Sequence, residues 1–425
     1  MKITFKNRAI LIILALVFFT NYAKSQTDFI WGKIYGSDKD DYVLNHVIDQ
    51  NGNLYIAGKT TGTIATANFG KNDGFITKID SSGNLLWSRQ FGTPEEEDVQ
   101  WCTIDKSANV YITGSTTGDL SGKNAGKEDI FIVKYDSGGN MIWSKQIGTA
   151  GSDVARGIYS DNTGNIYVTG NTEGKLGQNS FGKNDCFIMK LNDNGNQLFI
   201  TQFGTPGDDF SYSVIGGPGK DIFVCGSTWG EFSGKNKGFI DGFTGQFTEN
   251  GALIKYNQFG SEGFDIAEII NVDKENNIYV GGSTSGNFGS IQTGEGDAFL
   301  IKINEKGDIL WNNQFGTKNN DGLRSIAINP NISDNILVSG ILNLPPANAY
   351  VRIYTKDGKM LWERIFKGCS GKDVKFDNKR NFYHVGLTGV NLFGNKIGNT
   401  NFYVAKFMLD DVYLKHSGKG ANAER

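Results

Sequence analysis

The sequence predicts an all-β chain, a single seven-bladed β-propeller of four-stranded antiparallel blades, closed by the N-terminal strand completing the last blade. Three observations predict it. The segment NGNLYIAG (51–58) recurs as SANVYITG (107–114), TGNIYVTG (163–170), GKDIFVCG (219–226), ENNIYVGG (275–282), SDNILVSG (333–340) and KRNFYHVG (379–386). The period is 56 residues for the first five copies, then 58 and 46. Second, each repeat holds four short runs rich in β-branched and aromatic residues, bounded by Gly, Asn and Asp turns. In the second repeat these are 99–105, 109–115, 129–136 and 141–148. Third, 57 glycines against 6 prolines in 425 residues, without a G-X-Y period, exclude collagen and argue against a Pro-rich disordered chain. Seven repeats of four strands are the signature of a propeller, and no second domain fits beside them.

The elements follow in order along one repeat. The first strand leads through a tight turn such as SANV into the second, and a long Gly-rich loop follows, as in TTGDLSGKNAGKE (116–128). The third strand opens on Asp73, Asp129, Asp185, Asp241 and Asp297, weakening to Asn348 and Asn401. These repeated side chains are expected to fix their loops. The fourth strand carries WSRQFGT (87–93), echoed at 143–149, 199–205 and 311–317. Its recurring aromatic, Trp31, Trp87, Trp143, Trp311 and Trp362, is expected to pack between blades. The last repeat supplies three strands, and FIWGKIYG (29–36) is an orphan fourth whose Trp31 aligns with Trp87. Joining the two hides the edges an open array would expose.

The expected organisation is a signal peptide over 1–25, the propeller over 26–410 and a flexible tail over 411–425. Lys2, Lys6 and Arg8 precede the apolar run Ala9–Phe19, and Ala23 and Ser25 suit a cleavage site. That run is too short to span a bilayer, and no later segment is a transmembrane candidate. Without residues 1–25 the chain has 38 basic against 45 acidic residues, a net charge of −7. With no basic cluster, nucleic acid is excluded as a partner. Cys102, Cys186, Cys225 and Cys369 fall at non-equivalent positions in different repeats and are read as buried free thiols rather than a disulfide framework.

The pattern GNIYVTG, a Gly-rich loop, DxFIxK and WxxQFGT resembles the SBBP family of bacterial β-propeller repeats across residues 29–408. The resemblance implies the repeat architecture and export, and it carries no catalytic residue. Blade 6 departs from it, with LNLPPAN (342–348) in place of the longer Gly-rich loop.

Candidate site residues come from aligning the repeats with one another. An acid stands five residues after the fourth-strand glycine in every copy: Asp41, Glu97, Asp153, Asp209, Asp265, Asp321 and Asp373. Each is placed just before an innermost strand, giving a carboxylate ring near one mouth of the channel. Such a ring repels itself unless it is hydrogen-bonded or bridged by a cation such as calcium; the simpler reading is that each acid caps its own turn. Trp229 stands where other repeats carry Thr61, Thr117, Glu173 and Ser285, and is a candidate for stacking on a sugar ring. His46 and His384 take slots held elsewhere by aliphatic residues and are expected to be buried between blades; His416 lies in the tail. No nucleophile elbow, zinc-binding pair, phosphate loop or dinucleotide fingerprint appears in a supporting context.

The expectation is therefore an exported, non-enzymatic scaffold that binds a protein or glycan ligand on the face carrying the long loops. It is a monomer, secreted or at the cell surface, with the periplasm as the other destination. It has no cofactor, calcium at the acid series being the alternative. One rival is a carbohydrate-active enzyme, a polysaccharide lyase or glycoside hydrolase, which requires a non-repeating cluster of acid, Tyr and Arg or Lys on that face. A structural component of a cell-surface assembly is the other.

Overall fold

The computed structural model describes residues 28–65, 67–161, 163–329 and 333–409. The leader and tail inferred from the sequence, with His416, lie outside them. The described residues form seven four-stranded antiparallel sheets. Blade 1 is Asp41–Ile48, Leu54–Thr60, Asp73–Ile79 and Leu85–Phe91, paired in chain order. Blades 2 to 6 repeat that order, beginning at Glu97, Asp153, Asp209, Asp265 and Gly322. Blade 7 is Cys369–Phe376, Asn381–Thr388 and Asn401–Met408, completed by Asp28–Tyr35 from the other end of the chain. Trp31 pairs with Lys406 as Trp87 pairs with Lys78, so the closure keeps the register of an ordinary fourth strand. Among the described residues no helix is long and apolar enough to cross a membrane.

The second and third strands are buried almost throughout, because both their faces meet neighbouring blades. That packing explains their near-continuous apolar runs, such as VYIT and DIFIV. Adjacent blades also latch at the rim. Trp87 donates its indole N–H to the Ser137 carbonyl of the next blade at 3.3 Å, and Trp143 to Asp193 at 3.0 Å. Trp31 does the same to Ser81 at 3.2 Å, tying blade 7 to blade 1. Gly139 shows why a glycine receives the ring: its φ is +83°, and a Cβ would sit 2.9 Å from Trp87. Within this packing His46, His384 and the four cysteines are buried, and each cysteine is a separate thiol.

The first strands of neighbouring blades face one another around the central axis. Each begins on the face that carries the long loops and ends on the face of tight turns, which orients the features below.

Candidate functional site: the central channel and the long-loop face

Every innermost strand loses register with its partner at the same place, and the residue left over is Leu44, Gln100, Arg156, Tyr212, Glu268, Arg324 or Lys372. A bulged residue is free of the ladder and re-aims its side chain. Here all seven line one cavity of about 410 Å³ on the propeller axis. Ile266 and Trp101 complete the wall. The lining positions belong to the first half of each strand, so the cavity lies in the part of the channel nearer the long loops. Trp101, one residue deeper, packs against the core shared by blades 2 and 3 and also against that of blades 5 and 6. It thus reaches across the axis and floors the cavity.

The seven lining residues differ from blade to blade, unlike the scaffold positions. Arg324 is ion-paired with Glu268 through Nη1. Arg156 donates Nε–H to Asn171 Oδ1 at 2.9 Å and lies 5.4 Å from the Tyr212 ring centroid. The Tyr212 hydroxyl is 3.3 Å from Ser227 Oγ, and burial raises its pKa. Lys372 has no carboxylate partner among the described residues. Burial, followed by the nearby cations Arg324 and Lys59, pulls its ammonium down to about 8.

The acid series occupies a different place. Asp41, Glu97, Asp153, Asp209 and Asp265 are each the first paired residue of an innermost strand rather than the residue before it, and Asp321 immediately precedes one. All six are buried and take donors from their own turns. Glu97 accepts from Thr93 N–H at 2.8 Å, Thr93 Oγ1 at 2.8 Å and Thr116 Oγ1 at 2.8 Å. Asp41 accepts from Ser37 N–H at 2.5 Å and Thr60 Oγ1 at 2.6 Å. Asp153, Asp209 and Asp265 accept from Thr149, Thr205 and Ser261 in the same way. Asp321 accepts from Thr317 and from the Asn343 N–H at 2.7 Å. Burial is the first cause that raises the pKa of Glu97, Asp153, Asp209 and Asp265, with a second carboxylate from the preceding blade adding to it. These side chains sit at the blade junctions and do not line the channel cavity. No grouping of three or more His, Cys, Asp or Glu with metal-holding geometry occurs among the described residues.

Asp373 is a correction. The spacing makes it the seventh member, but Cys369 holds that slot, pairing with Thr388 as Asp41 pairs with Thr60. The turn before blade 7 is reduced to Gly368, so counting five residues from that glycine overshoots into the strand. Asp373 is instead fully buried beneath the channel wall. It accepts from the His46 N–H at 3.0 Å and from Ser325 Oγ at 2.5 Å, with Lys375 Nζ at 3.3 Å. Burial acts to raise its carboxyl, and Lys375 and His46 reverse that, holding it far below the usual carboxylate range.

Trp229 lies on the long-loop face, 43 % exposed, edge-on to Phe210 with centroids 5.5 Å apart. Five of the six exposed aromatics among the described residues lie on that face: Phe69, Phe181, Trp229, Phe239 and Phe264. Phe239 takes the slot of Lys71 and Lys127, each of which pairs with a carboxylate at 2.8 Å. It stacks instead on Phe264, centroids 5.3 Å apart and planes 12° from parallel. The pair borders an opening of about 790 Å³ between blades 4 and 5. The sequence reading passed over Phe239, Phe264, Trp101 and the bulge series. Phe239 and Phe264 were marked by their departure from the charged and polar residues of the repeat.

Residues 86–121 and 142–177 match the SBBP family, described as a beta-propeller repeat. Two stretches of the chain thus match that repeat. It is 25 % identical over 209 residues to the regulatory protein FlaEY of Caulobacter vibrioides, a match spanning 45 % of this chain and 21 % of that protein. It is 27 % identical over 169 residues to an uncharacterized WD repeat-containing protein of Acanthamoeba polyphaga mimivirus, spanning 32 % of this chain and 12 % of that protein. The chain thus covers about a fifth or less of the length of these relatives. Among solved structures, a catalytically inactive virginiamycin B lyase from Staphylococcus aureus with quinupristin superposes with a TM-score of 0.51 at 13 % identity, covering 89 % of this chain and 99 % of that one. The Pan2 WD40 domain of Neurospora crassa gives 0.50 at 12 % identity, covering 88 % and 91 %. At these identities the likeness is one of fold.

Proposed function

We propose that this SBBP propeller is an exported, non-enzymatic scaffold that docks a partner protein on its long-loop face. The observation that carries the reading is the exposed Phe239–Phe264 stack, which replaces charged and polar positions at one blade junction only. Rigid aromatics beside a concave opening are the side chains from which interface anchors are built. Export rests on the basic and apolar run at 2–19, and the reading takes the chain as a monomer with no cofactor. A melting temperature that rose with calcium and fell with chelator would add a cation at the acid series. The test of docking is cross-linking on native cell envelopes with the wild type and with F239D/F264D. A partner captured by the first and lost by the second supports the proposal; equal capture by both, or none, overturns it.

A second reading, an enzyme acting on carbohydrate, is favoured by one observation. Glu268, Tyr212, Arg156, Arg324 and Lys372 form a non-repeating set of the kind such chemistry needs, in the channel rather than among the loops. Hydrolysis by paired carboxylates fits poorly, since Glu268 is the one carboxylate lining the cavity and Arg324 holds it. Elimination from an acidic polysaccharide remains as the form of this reading that an ultraviolet turnover assay tests directly.

A further inference from the structure

We infer that the central channel is a binding site for a small organic oxyanion, held by Arg156, Arg324 and Lys372 above the Trp101 floor. Three cations and one carboxylate line the cavity. Elsewhere in the propeller partly buried cations are answered by a carboxylate, as Lys375 by Asp373, Lys59 by Asp98 at 2.6 Å and Arg352 by Glu363 at 2.7 Å, or by a backbone carbonyl, as Lys190 by Glu249 at 3.0 Å and Lys406 by Ser81 at 3.0 Å. Within the channel only Arg324 has a carboxylate. Like charges confined by low-dielectric walls repel one another and focus a positive potential on the axis, in a chain whose net charge is −3. A bound anion completes that arrangement.

The unused donors converge in the same way. Arg156 spends Nε on Asn171, leaving both terminal nitrogens without an acceptor among the described residues. Arg324 spends Nη1 on Glu268, leaving Nε and Nη2. Guanidinium groups with free forks suit carboxylate and phosphate oxygens, and Lys372 adds a point charge. Leu44, Ile266, Tyr212 and Trp101 supply an apolar wall that a bare ion would leave uncovered, so the ligand has a carbon body as well as a charged group. The site exists because each innermost strand bulges at one residue, which puts one unlike side chain per blade on the axis.

The test is calorimetric titration of the full chain with citrate, with inorganic phosphate and with glucose as the neutral probe, at pH 7 and low salt. Citrate binding that weakens at least tenfold in K372Q and in R156Q, and weakens with added salt, is the expected result. Phosphate binding with the same losses also supports the site and assigns it to phosphate-bearing ligands instead of carboxylates. No binding of either anion, or unchanged affinity in both variants, overturns the inference. Both substitutions line open space, so melting temperatures close to wild type confirm that lost binding is not lost folding. The inference is independent of docking on the loop face: F239D/F264D leaves anion binding intact, and either proposal can fail while the other stands.

Discussion

Blades 1 to 5 and the closing junction of blades 6, 7 and 1 join neighbours by different means. Along the regular arc, the third-strand acid of one blade and the first-strand acid of the next flank a glycine. Around Gly92 these are Asp73 and Glu97, whose oxygens lie 2.4 and 2.7 Å from where a Cβ would stand. The latch recurs at Gly204, Gly260 and Gly316, its acids taking turn N–H groups, Thr hydroxyls and a fourth-strand Gln such as Gln90, which donates to Asp73 at 2.7 Å, while Oδ1 of Asp73 and of Asp241 has no hydrogen-bond partner among the described residues. Where blade 7 meets blade 1, Asn401 replaces the first acid and donates to Asp41 at 3.2 Å. Where blade 6 meets blade 7, Asn348 and Cys369 stand in place of both acids, and the buried polar groups cluster deeper, around Asp373, His46, Ser325, Ser339 and His384. Burial, with the neighbouring acid adding to it, raises the pKa of Glu97, Asp153, Asp209 and Asp265, whereas Asp373 among cations and donors is lowered. The regular arc therefore tolerates loss of a charge, and the closing junction depends on one.

Truncating the two kinds of acid gives the largest contrast. Asp373→Ala leaves the partly buried Lys375 and several buried donors without their acceptor, and is expected to cost about 3–5 kcal/mol in denaturant unfolding. Asp265→Ala loses bonds from Ser261 at 2.6 and 2.9 Å but also removes a like-charge neighbour, and is expected to cost about 1–2 kcal/mol. Equal losses would erase the distinction between the two regions.

Acid titration separates them next. His384 is buried against Phe366, its Nε2 2.8 Å from Ser339 Oγ, and burial followed by the nearby His46 lowers its pKa to about 3. A depressed histidine contributes stability that is complete above its unfolded value near 6.5 and is lost as pH falls toward 3, at up to about 1.4 kcal/mol per pH unit. The lowered Asp373 loses its contribution as pH falls further. The raised acids of the regular arc act in the opposite sense, their repulsion disappearing as they take up protons. Melting temperature is expected to fall from pH 6.5 to 3, and His384→Val, the residue of the matching slot in blades 3 to 5, is expected to flatten that fall. An unchanged slope in the variant would place the acid sensitivity elsewhere.

How much of this was legible depends on whether a residue repeats. The fourth-strand Trp, the third-strand Asp and the glycines recur at 56 residues because every blade solves the same packing problem, so the fold, its closure by Trp31 and the burial of both histidines could be read directly. The channel could not, because Leu44, Gln100, Arg156, Tyr212, Glu268 and Arg324 share a spacing but no chemistry, and the bulge that aims them leaves no mark in composition. The shortened turn at Gly368 then moves the seventh member to Lys372, off the period. Asp373 was misplaced by the same shortening: a spacing rule holds only while the loops keep their length.

The glycine latch supplies a test confined to the regular arc. Gly92→Ala pushes a methyl group into Asp73 and Glu97, which local bonds hold in place, and is expected to cost about 1–3 kcal/mol. At Gly219, in a tight turn, no atom lies within 4 Å of an added Cβ, and the same substitution should stay within about 0.5 kcal/mol. A neutral Gly92→Ala would mean that the paired acids can move apart, and that the latch is looser than its repetition suggests.

The smallest expected effect belongs to Trp229, an exception within the regular arc rather than at its closure. Trp87 donates a hydrogen bond to the next blade and packs on Gly139, whereas Trp229 touches Phe210 edge-on and leaves 43 % of its surface to solvent. Truncation to Ala is accordingly expected to cost about 1 kcal/mol, close to the worth of one aromatic contact plus part of its area. A loss well above 2 kcal/mol would make Trp229 scaffold after all. A near-neutral melt combined with a lost signal on a glycan array would make it a ligand contact, because a side chain that stabilises nothing in the free protein has its remaining surface available for a partner.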